Sequence, residues 1–163
     1  CFYDGTRITK NVRPGGYILG DEGSASVIGR AFLSDVLKEL APPELIEAFY
    51  FKYHTSAAEV MSAVYDKPLP HYYLSSVTSF LVDYQHTSYV SDLVTDSFKS
   101  FLHRNLFQYD YQQYPVYFTG KTAMAFSVLL RSLCRTYDFE PAKVSMDVVQ
   151  GLVAYHATHL VDE

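Results

Sequence analysis

Three consecutive residues, Gly120, Lys121 and Thr122, end the stretch VYFTGKT and have the types that close a phosphate-binding loop. A Walker A loop requires an earlier glycine at the position that Pro115 occupies. The intervening run 116–119 predicts a strand, so it cannot wrap phosphates. The triplet instead predicts a strand, one glycine and a helix start whose free N–H groups could contact a ribose or a phosphate edge. The alternative to a ligand site is a purely structural one, in which Gly120 is needed only because the turn between strand and helix requires a residue without a side chain.

Two adjacent carboxylates, Asp21 and Glu22, lie between glycines in the stretch GDEGS, directly before a predicted helix. Either could cap that helix by accepting hydrogen bonds from its first N–H groups. A carboxylate on a glycine-bounded loop could also accept hydrogen bonds from sugar hydroxyls. The stretch RPGGYILGDEGSAS holds four glycines, more than a cap requires, so both roles stay open.

The remaining chemistry-bearing side chains give no further site. His156 and His159 are close enough to share a metal, but spacing suggests no third ligand, and a cation-prone helix end is the favoured interpretation. Cys1 and Cys134 lie far apart without C-x-x-C spacing, which excludes a zinc framework and a disulfide scaffold. Cys134 falls on a predicted apolar helix face and is interpreted as a core residue.

The composition is that of one globular domain, with 48% apolar and 19% charged residues. No apolar run approaches the ~20 residues of a membrane span. The net charge of -5 and the lack of a basic cluster argue against nucleic-acid binding. Cysteine usage and the lack of a signal peptide indicate a cytoplasmic protein, and the first residue, Cys1, predicts a fragment or a processed chain.

The elements that position these residues begin with a hairpin around Asp4-Gly5. The trio Tyr17, Ile18 and Leu19 is predicted to be buried in a loop or strand–turn element. Apolar residues at helical spacing predict a helix over 24–40. Further helices are predicted over 44–53, 56–66, 71–84 and 88–109.

The pattern changes after residue 115. The run 116–119 predicts a strand buried on both faces, followed by a helix over 122–137. A strand over 142–145 and a helix over 147–156 complete an order typical of a parallel α/β layer. We predict a single domain over 1–163, an α/β core with a helical insertion at about 44–110.

The stretch GYILGDEGSASVIGRAFL resembles the segment G-x-x-x-G-D-E-G-S-[AG]-x-x-[IL]-G of the N-acetylglucosamine kinase and BadF/BadG/BcrA/BcrD ATPase family. The stretches CFYDGTRI, YPVYFTGKTAMAFSVLL and GLVAYH resemble other family elements in the right order. The resemblance implies the C-terminal lobe of an actin-like, sugar-kinase, Hsp70-type ATPase with an RNase H-like core.

The resemblance also implies roles for individual residues. Asp21 would contact the sugar, and Gly15 and Gly16 would line it, although P-G-G stands here where the family often has G-W-G. Residues 120–122 would line the adenine nucleotide of ATP. Lys121 departs from the Gly or Ser that is usual in the family.

The family's first phosphate loop, its catalytic aspartate and its second, G-T-G-S-type phosphate loop have no counterpart in this chain. ATP and Mg²⁺ lie between two lobes in the family, so the chain is expected to be inactive without a missing N-terminal lobe. The implied reaction of the parent is phosphoryl transfer from ATP to an amino-sugar hydroxyl.

Two other functions stay open. One is an ATPase of the BadF/BadG branch that drives a partner protein, which the scarcity of cysteines for an iron–sulfur cluster disfavours. The other is a non-enzymatic binding module whose working surface is the helical insertion. A homodimer through an exposed sheet edge or through that insertion is a further expectation.

Overall fold

A computed structural model describes residues 1–146 and 148–159, with the main chain alone at 150, 158 and 159. The chain divides into two compact units, Cys1–Asp110 and Tyr111–Glu163. The fold is mixed α/β and mostly helical with small sheets, which agrees with the predicted class. The single domain predicted over 1–163 stays a prediction. No helix in the described ranges is both long and apolar enough to cross a membrane.

The first unit opens with the predicted hairpin, which is confirmed. Strands β1 (Phe2–Tyr3) and β2 (Ile8–Lys10) pair antiparallel. In the turn, Asp4 Oδ1 accepts hydrogen bonds from the backbone N–H of Thr6 at 2.8 Å and of Arg7 at 2.9 Å. These donors, that of Arg7 foremost, stabilise the carboxylate and lower the pKa of Asp4.

Helices make up the rest of this unit. They are α1 (Gly16–Leu19), α2 (Ala25–Leu37), α3 (Pro43–Tyr53), α4 (Ala57–Tyr65), α5 (Pro70–Val82) and α6 (Ser88–Arg104), followed by a 3₁₀ turn (Leu106–Gln108). The helices predicted between residues 44 and 109 are confirmed, with the last one ending at Arg104. Helix α2 stops short of the predicted Leu40 because Glu39 takes a left-handed backbone, φ 57°.

The core of this unit forms where α2 and α5 cross. Gly29 permits the close approach, since a Cβ there would lie 1.9 Å from the carbonyl oxygen of Leu74. Beside this contact, the ring of Phe32 lies 5.4 Å from that of Phe49 and 5.7 Å from that of Phe80. All three rings are fully buried, so aromatic packing anchors α2, α3 and α5.

The second unit has the predicted order of strand, helix, strand and helix. Its elements are β3 (Tyr117–Thr119), α7 (Lys121–Ala125), α8 (Ser127–Arg135), β4 (Lys143–Ser145) and α9 (Val149–His159). The two strands pair in parallel, with Phe118 opposite Val144. The predicted start of the last helix, Asp147, lies outside the described residues.

Two expectations about this unit are wrong. Strand β3 is covered on one face only, because Phe118 is buried while Tyr117 is 63% exposed. Because successive strand residues point to opposite faces, an uninterrupted apolar run predicts that other elements pack on both faces of the strand. In this unit only one face is packed in that way. The helix predicted over 122–137 is interrupted at Phe126, whose φ of -109° and ψ of 31° separate α7 from α8.

Candidate functional site

The loop between β2 and α2 folds back on its own backbone, and its glycines make this possible. Gly15 and Gly16 have positive φ values of 76° and 72°, which side chains disfavour. At Gly20, a Cβ would lie 1.8 Å from the carbonyl oxygen of Pro14. The glycines of this stretch therefore serve backbone contacts that a helix cap alone would not require.

The apolar trio of this loop is exposed, so its predicted burial is wrong. Tyr17, Ile18 and Leu19 belong to the single turn α1 and are 41%, 68% and 82% exposed. One helical turn offers too few positions for an apolar pattern to define a buried face. Backbone contacts and the side-chain contacts of Glu22 described below, rather than burial of the trio, hold the loop.

Asp21 has an unusual backbone and a carboxylate without a partner. Its φ of 60° lies in the left-handed region, and the residue is half-buried. Among the described residues, none forms a hydrogen bond or an ion pair with its side chain. A left-handed backbone costs a non-glycine residue on the order of 1 kcal/mol, and residues with such strain cluster at binding sites. Asp21 is therefore the leading candidate for ligand contact in this loop.

The cap of α2 is Ser24, so the expectation that Asp21 or Glu22 caps this helix is wrong. Ser24 has the extended backbone of a capping residue, and its Oγ accepts a hydrogen bond from the N–H of Val27 at 3.4 Å. Only the backbone of Asp21 takes part, through a carbonyl that accepts from the N–H of Ser24 at 3.0 Å. Because Ser24 stands directly before the helix, both carboxylates are left for other roles.

Glu22 ties the loop to the end of α6. Its Oε1 accepts a hydrogen bond from Arg104 at 3.4 Å, and its Oε2 accepts one from Asn105 at 3.3 Å. The Glu22 side chain is mostly buried, whereas that of Arg104 is 70% exposed. A pair this exposed adds under about 1 kcal/mol of stability, so its main effect is to fix the position of the loop.

An open cleft of about 370 Å³ lies between this loop and the end of α6. Its polar side chains are Arg13, Glu22, His103, Arg104, Asn105 and Gln108. The volume is at the lower end of the range for small-ligand sites. Of the predicted sugar-site residues, Gly15 lines this cleft, and Asp21 lies between two residues that line it, Gly20 and Glu22.

The predicted nucleotide residues, 120–122, belong to the second unit. Gly120 directly follows β3 with φ 131°, and its N–H donates to the carbonyl of Ser145 at 2.9 Å. No described atom lies within 4 Å of a Cβ built at Gly120, so the backbone angle requires glycine and the space beside it is open. Lys121 and Thr122 begin α7. The strand directly before Gly120 confirms that these residues do not close a phosphate-wrapping loop.

The structure also bears on the histidine and cysteine predictions. In the described ranges, no group of three or more His, Cys, Asp and Glu residues could hold a metal. His156 is exposed, and the side chain of His159 lies outside the described residues. Cys134 is fully buried, which raises the pKa of its thiol to about 12 and keeps the thiol protonated. Its prediction as a core residue is confirmed.

A solved structure is similar to almost the whole chain. It is the crystal structure of a putative N-acetylglucosamine kinase from Porphyromonas gingivalis, 36% identical, with a TM-score of 0.92. The match covers 96% of this chain and 55% of that protein, so the chain spans little more than half the length of that protein. The resemblance to the N-acetylglucosamine kinase family is confirmed. Neither a family model nor a curated protein matches the chain.

Sequence motifs identified one wall of the cleft and missed the other. The GDEGS motif drew attention to the loop. Arg104 and Asn105, the partners of Glu22, lie 82 and 83 positions further along and match no motif. The only available signal was that Arg104 ends a long amphipathic helix, where a basic residue needs no functional explanation.

Proposed function

We propose that this chain is the C-terminal lobe, with an RNase H-like core, of an ATP-dependent kinase that phosphorylates a hydroxyl of an amino sugar. The unpartnered carboxylate of Asp21, in a left-handed loop residue beside a polar cleft, carries the proposal. The similarity to a putative N-acetylglucosamine kinase over 96% of the chain supports it.

The sugar contacts would come from the loop between β2 and α2. The Asp21 carboxylate accepts hydrogen bonds from sugar hydroxyls, and bonds to a charged acceptor are stronger than those between neutral groups. Gly15 and Gly16 have no side chains, so a sugar ring can approach their backbone closely. This arrangement orients the sugar, while its reacting hydroxyl points towards groups outside this chain.

The adenine nucleotide would lie against residues 120–122. The open space beside Gly120 fits a flat ligand that rests on the backbone. ATP, when bound, supplies the phosphoryl group, and Mg²⁺ neutralises the charge that develops during transfer. We assign no residue of this chain to Mg²⁺ or to catalysis. The general base and both phosphate loops are proposed to lie outside it, so the chain alone is expected to be inactive.

Helix α9 supports the view that the chain is one part of a larger fold. Val149, Leu152 and Val153 are 58%, 54% and 63% exposed, and every described side chain over 151–157 is exposed. An apolar helix with this much exposure normally contacts other protein. We propose that the N-terminal lobe of the parent covers it. The homodimer and the cytoplasmic location stay predictions.

The proposed activity can be tested on the full-length parent. ATP-dependent phosphorylation of N-acetylglucosamine would be measured for the wild type and for Asp21→Ala. We expect an active wild type and a variant whose KM for the sugar rises at least about tenfold, since one charge-assisted contact contributes about 1.5–3 kcal/mol. An active parent whose variant keeps the wild-type KM would remove Asp21 from the sugar site.

A further inference from the structure

We propose that the cleft between the glycine loop and the end of α6 binds an anionic group, a carboxylate or a phosphate, and that Arg13 and Arg104 hold it. The proposal that the sugar substrate carries this group rests on the proposed function. Anion binding in the cleft does not depend on it.

The first argument is that several acceptors in the cleft, including its lining carboxylate, already have donors. Both oxygens of Glu22 accept hydrogen bonds, one from Arg104 and one from Asn105. The carbonyl oxygen of Arg104 accepts from the side-chain amide of Gln108, and that of Gln108 accepts from the ammonium group of Lys10. Two carbonyl groups at the end of α6 and of the 3₁₀ turn that follows it are thus satisfied, which reduces the negative character of this helix end.

The second argument is that the donors in the cleft are in excess. A guanidinium carries five N–H donors, and Arg13 has no hydrogen bond or ion pair within the described part of the chain. Arg104 uses a single nitrogen towards Glu22, and at 70% exposure it can present the rest to the cleft. A ligand that complements this lining must be rich in acceptors.

The third argument is charge. The chain has a net charge of -5, yet Arg13 and Arg104 face a single lining carboxylate, that of Glu22. Asp21 lies next to the cleft but does not line it, so the lining itself keeps an excess of positive charge, which favours an anion over a neutral polar ligand. Two guanidinium groups match the paired oxygens of a carboxylate or a phosphate. Because the cleft adjoins the loop of Asp21, a sugar at Asp21 could extend such a group into it.

The test uses calorimetric titration of the full-length protein without ATP, at constant ionic strength. The probes are N-acetylglucosamine, its O3-carboxymethyl ether and inorganic phosphate. We expect the ether to bind at least about fivefold more tightly than the neutral sugar, the scale of an exposed ion pair. This advantage should disappear in Arg13→Gln and in Arg104→Gln. It should survive in Arg30→Gln, a matched control at an exposed residue outside the cleft.

The outcomes separate this proposal from the proposed function. Equal binding of both sugars, unchanged by Arg13→Gln, would overturn the anion subsite and leave the sugar site intact. Failure of both sugars to bind would count against the proposed function. Phosphate binding that Arg13→Gln abolishes would then still support an anion site, with a free anion rather than a sugar as its ligand.

Discussion

Replacing Gly20 with alanine should damage the candidate site while leaving the rest of the fold intact. The new Cβ would lie 1.8 Å from the carbonyl oxygen of Pro14, and real Cβ atoms essentially never approach another atom within 3.0 Å. The same oxygen accepts a hydrogen bond from the N–H of Asp21 at 3.3 Å. The methyl group of alanine would force residue 20 away from the carbonyl of Pro14. Because the N–H of the next residue, Asp21, bonds to that same carbonyl, Asp21 would be displaced as well.

The expected loss follows from that displacement. Loss of the charge-assisted hydrogen bond of Asp21 costs about 1.5–3 kcal/mol, which is roughly 10-fold to 100-fold in affinity. The sugar affinity of full-length Gly20→Ala should fall by about this factor in calorimetric titration with N-acetylglucosamine. Its thermal unfolding midpoint should change little, because the loop contributes no residue to the buried apolar core.

Gly5→Ala is the matched control. Gly5 lies in the hairpin turn, outside the loop of Asp21, and among the described atoms none lies within 4 Å of a Cβ at this position. Its φ of 102° means that alanine there meets backbone strain of about 1 kcal/mol but no clash, so sugar affinity should stay close to that of the wild type. Wild-type affinity in Gly20→Ala, or an equal loss in both variants, would refute the idea that the backbone contact positions Asp21.

Three further predictions concern stability and protonation. Gly29→Ala should lower the thermal unfolding midpoint of the full-length protein, because overpacking at this site costs about 1–3 kcal/mol or more. Gly151→Ala, at a position with open space around it, should leave the midpoint unchanged. Equal midpoints for these two variants would contradict the close packing of α2 on α5. Tyr89→Phe should lower the free energy of unfolding, measured in urea, by about 1 kcal/mol, because the partly buried hydroxyl of Tyr89 donates a hydrogen bond to Asp35 at 2.8 Å. Burial also raises the pKa of this hydroxyl, so it stays protonated and able to donate. An unchanged free energy of unfolding would argue against this hydrogen bond. The pKa of Asp4 should lie below 3.8 in an NMR titration. The stability that its carboxylate gives the turn is therefore fully present above pH 3.8 and is lost as the pH falls through the lowered pKa. A pKa above 3.8 would contradict the hydrogen bonds of the turn.

The elements that the sequence predicts best are those with enough length to show a period. Helix α6 repeats its apolar positions over several turns, and its bounds match the expectation at the N-terminal end. Helix α1 has a single turn, so the exposure of Ile18 and Leu19 could not be predicted from periodicity. The run 116–119 predicted two buried faces, but only the face of Phe118 is buried, and Tyr117 on the other face is 63% exposed.

The candidate site was predictable in part for a related reason. The backbone demands of Gly20 leave a local mark in the sequence, a glycine excess that a cap does not explain. The contacts of Glu22 leave none, because Arg104 and Asn105 approach it only through tertiary folding. A basic residue at a helix end and a residue that closes a cleft look the same in a single sequence.

The most direct test of the proposed sugar site is the affinity of Asp21→Asn for N-acetylglucosamine. Asparagine has the shape of aspartate and tolerates the left-handed backbone at least as well, so the loop should keep its conformation. Titration of the full-length protein should show at least about tenfold weaker binding with an unchanged unfolding midpoint, because the charge of the acceptor is lost. Wild-type sugar affinity in this variant would contradict the role assigned to Asp21.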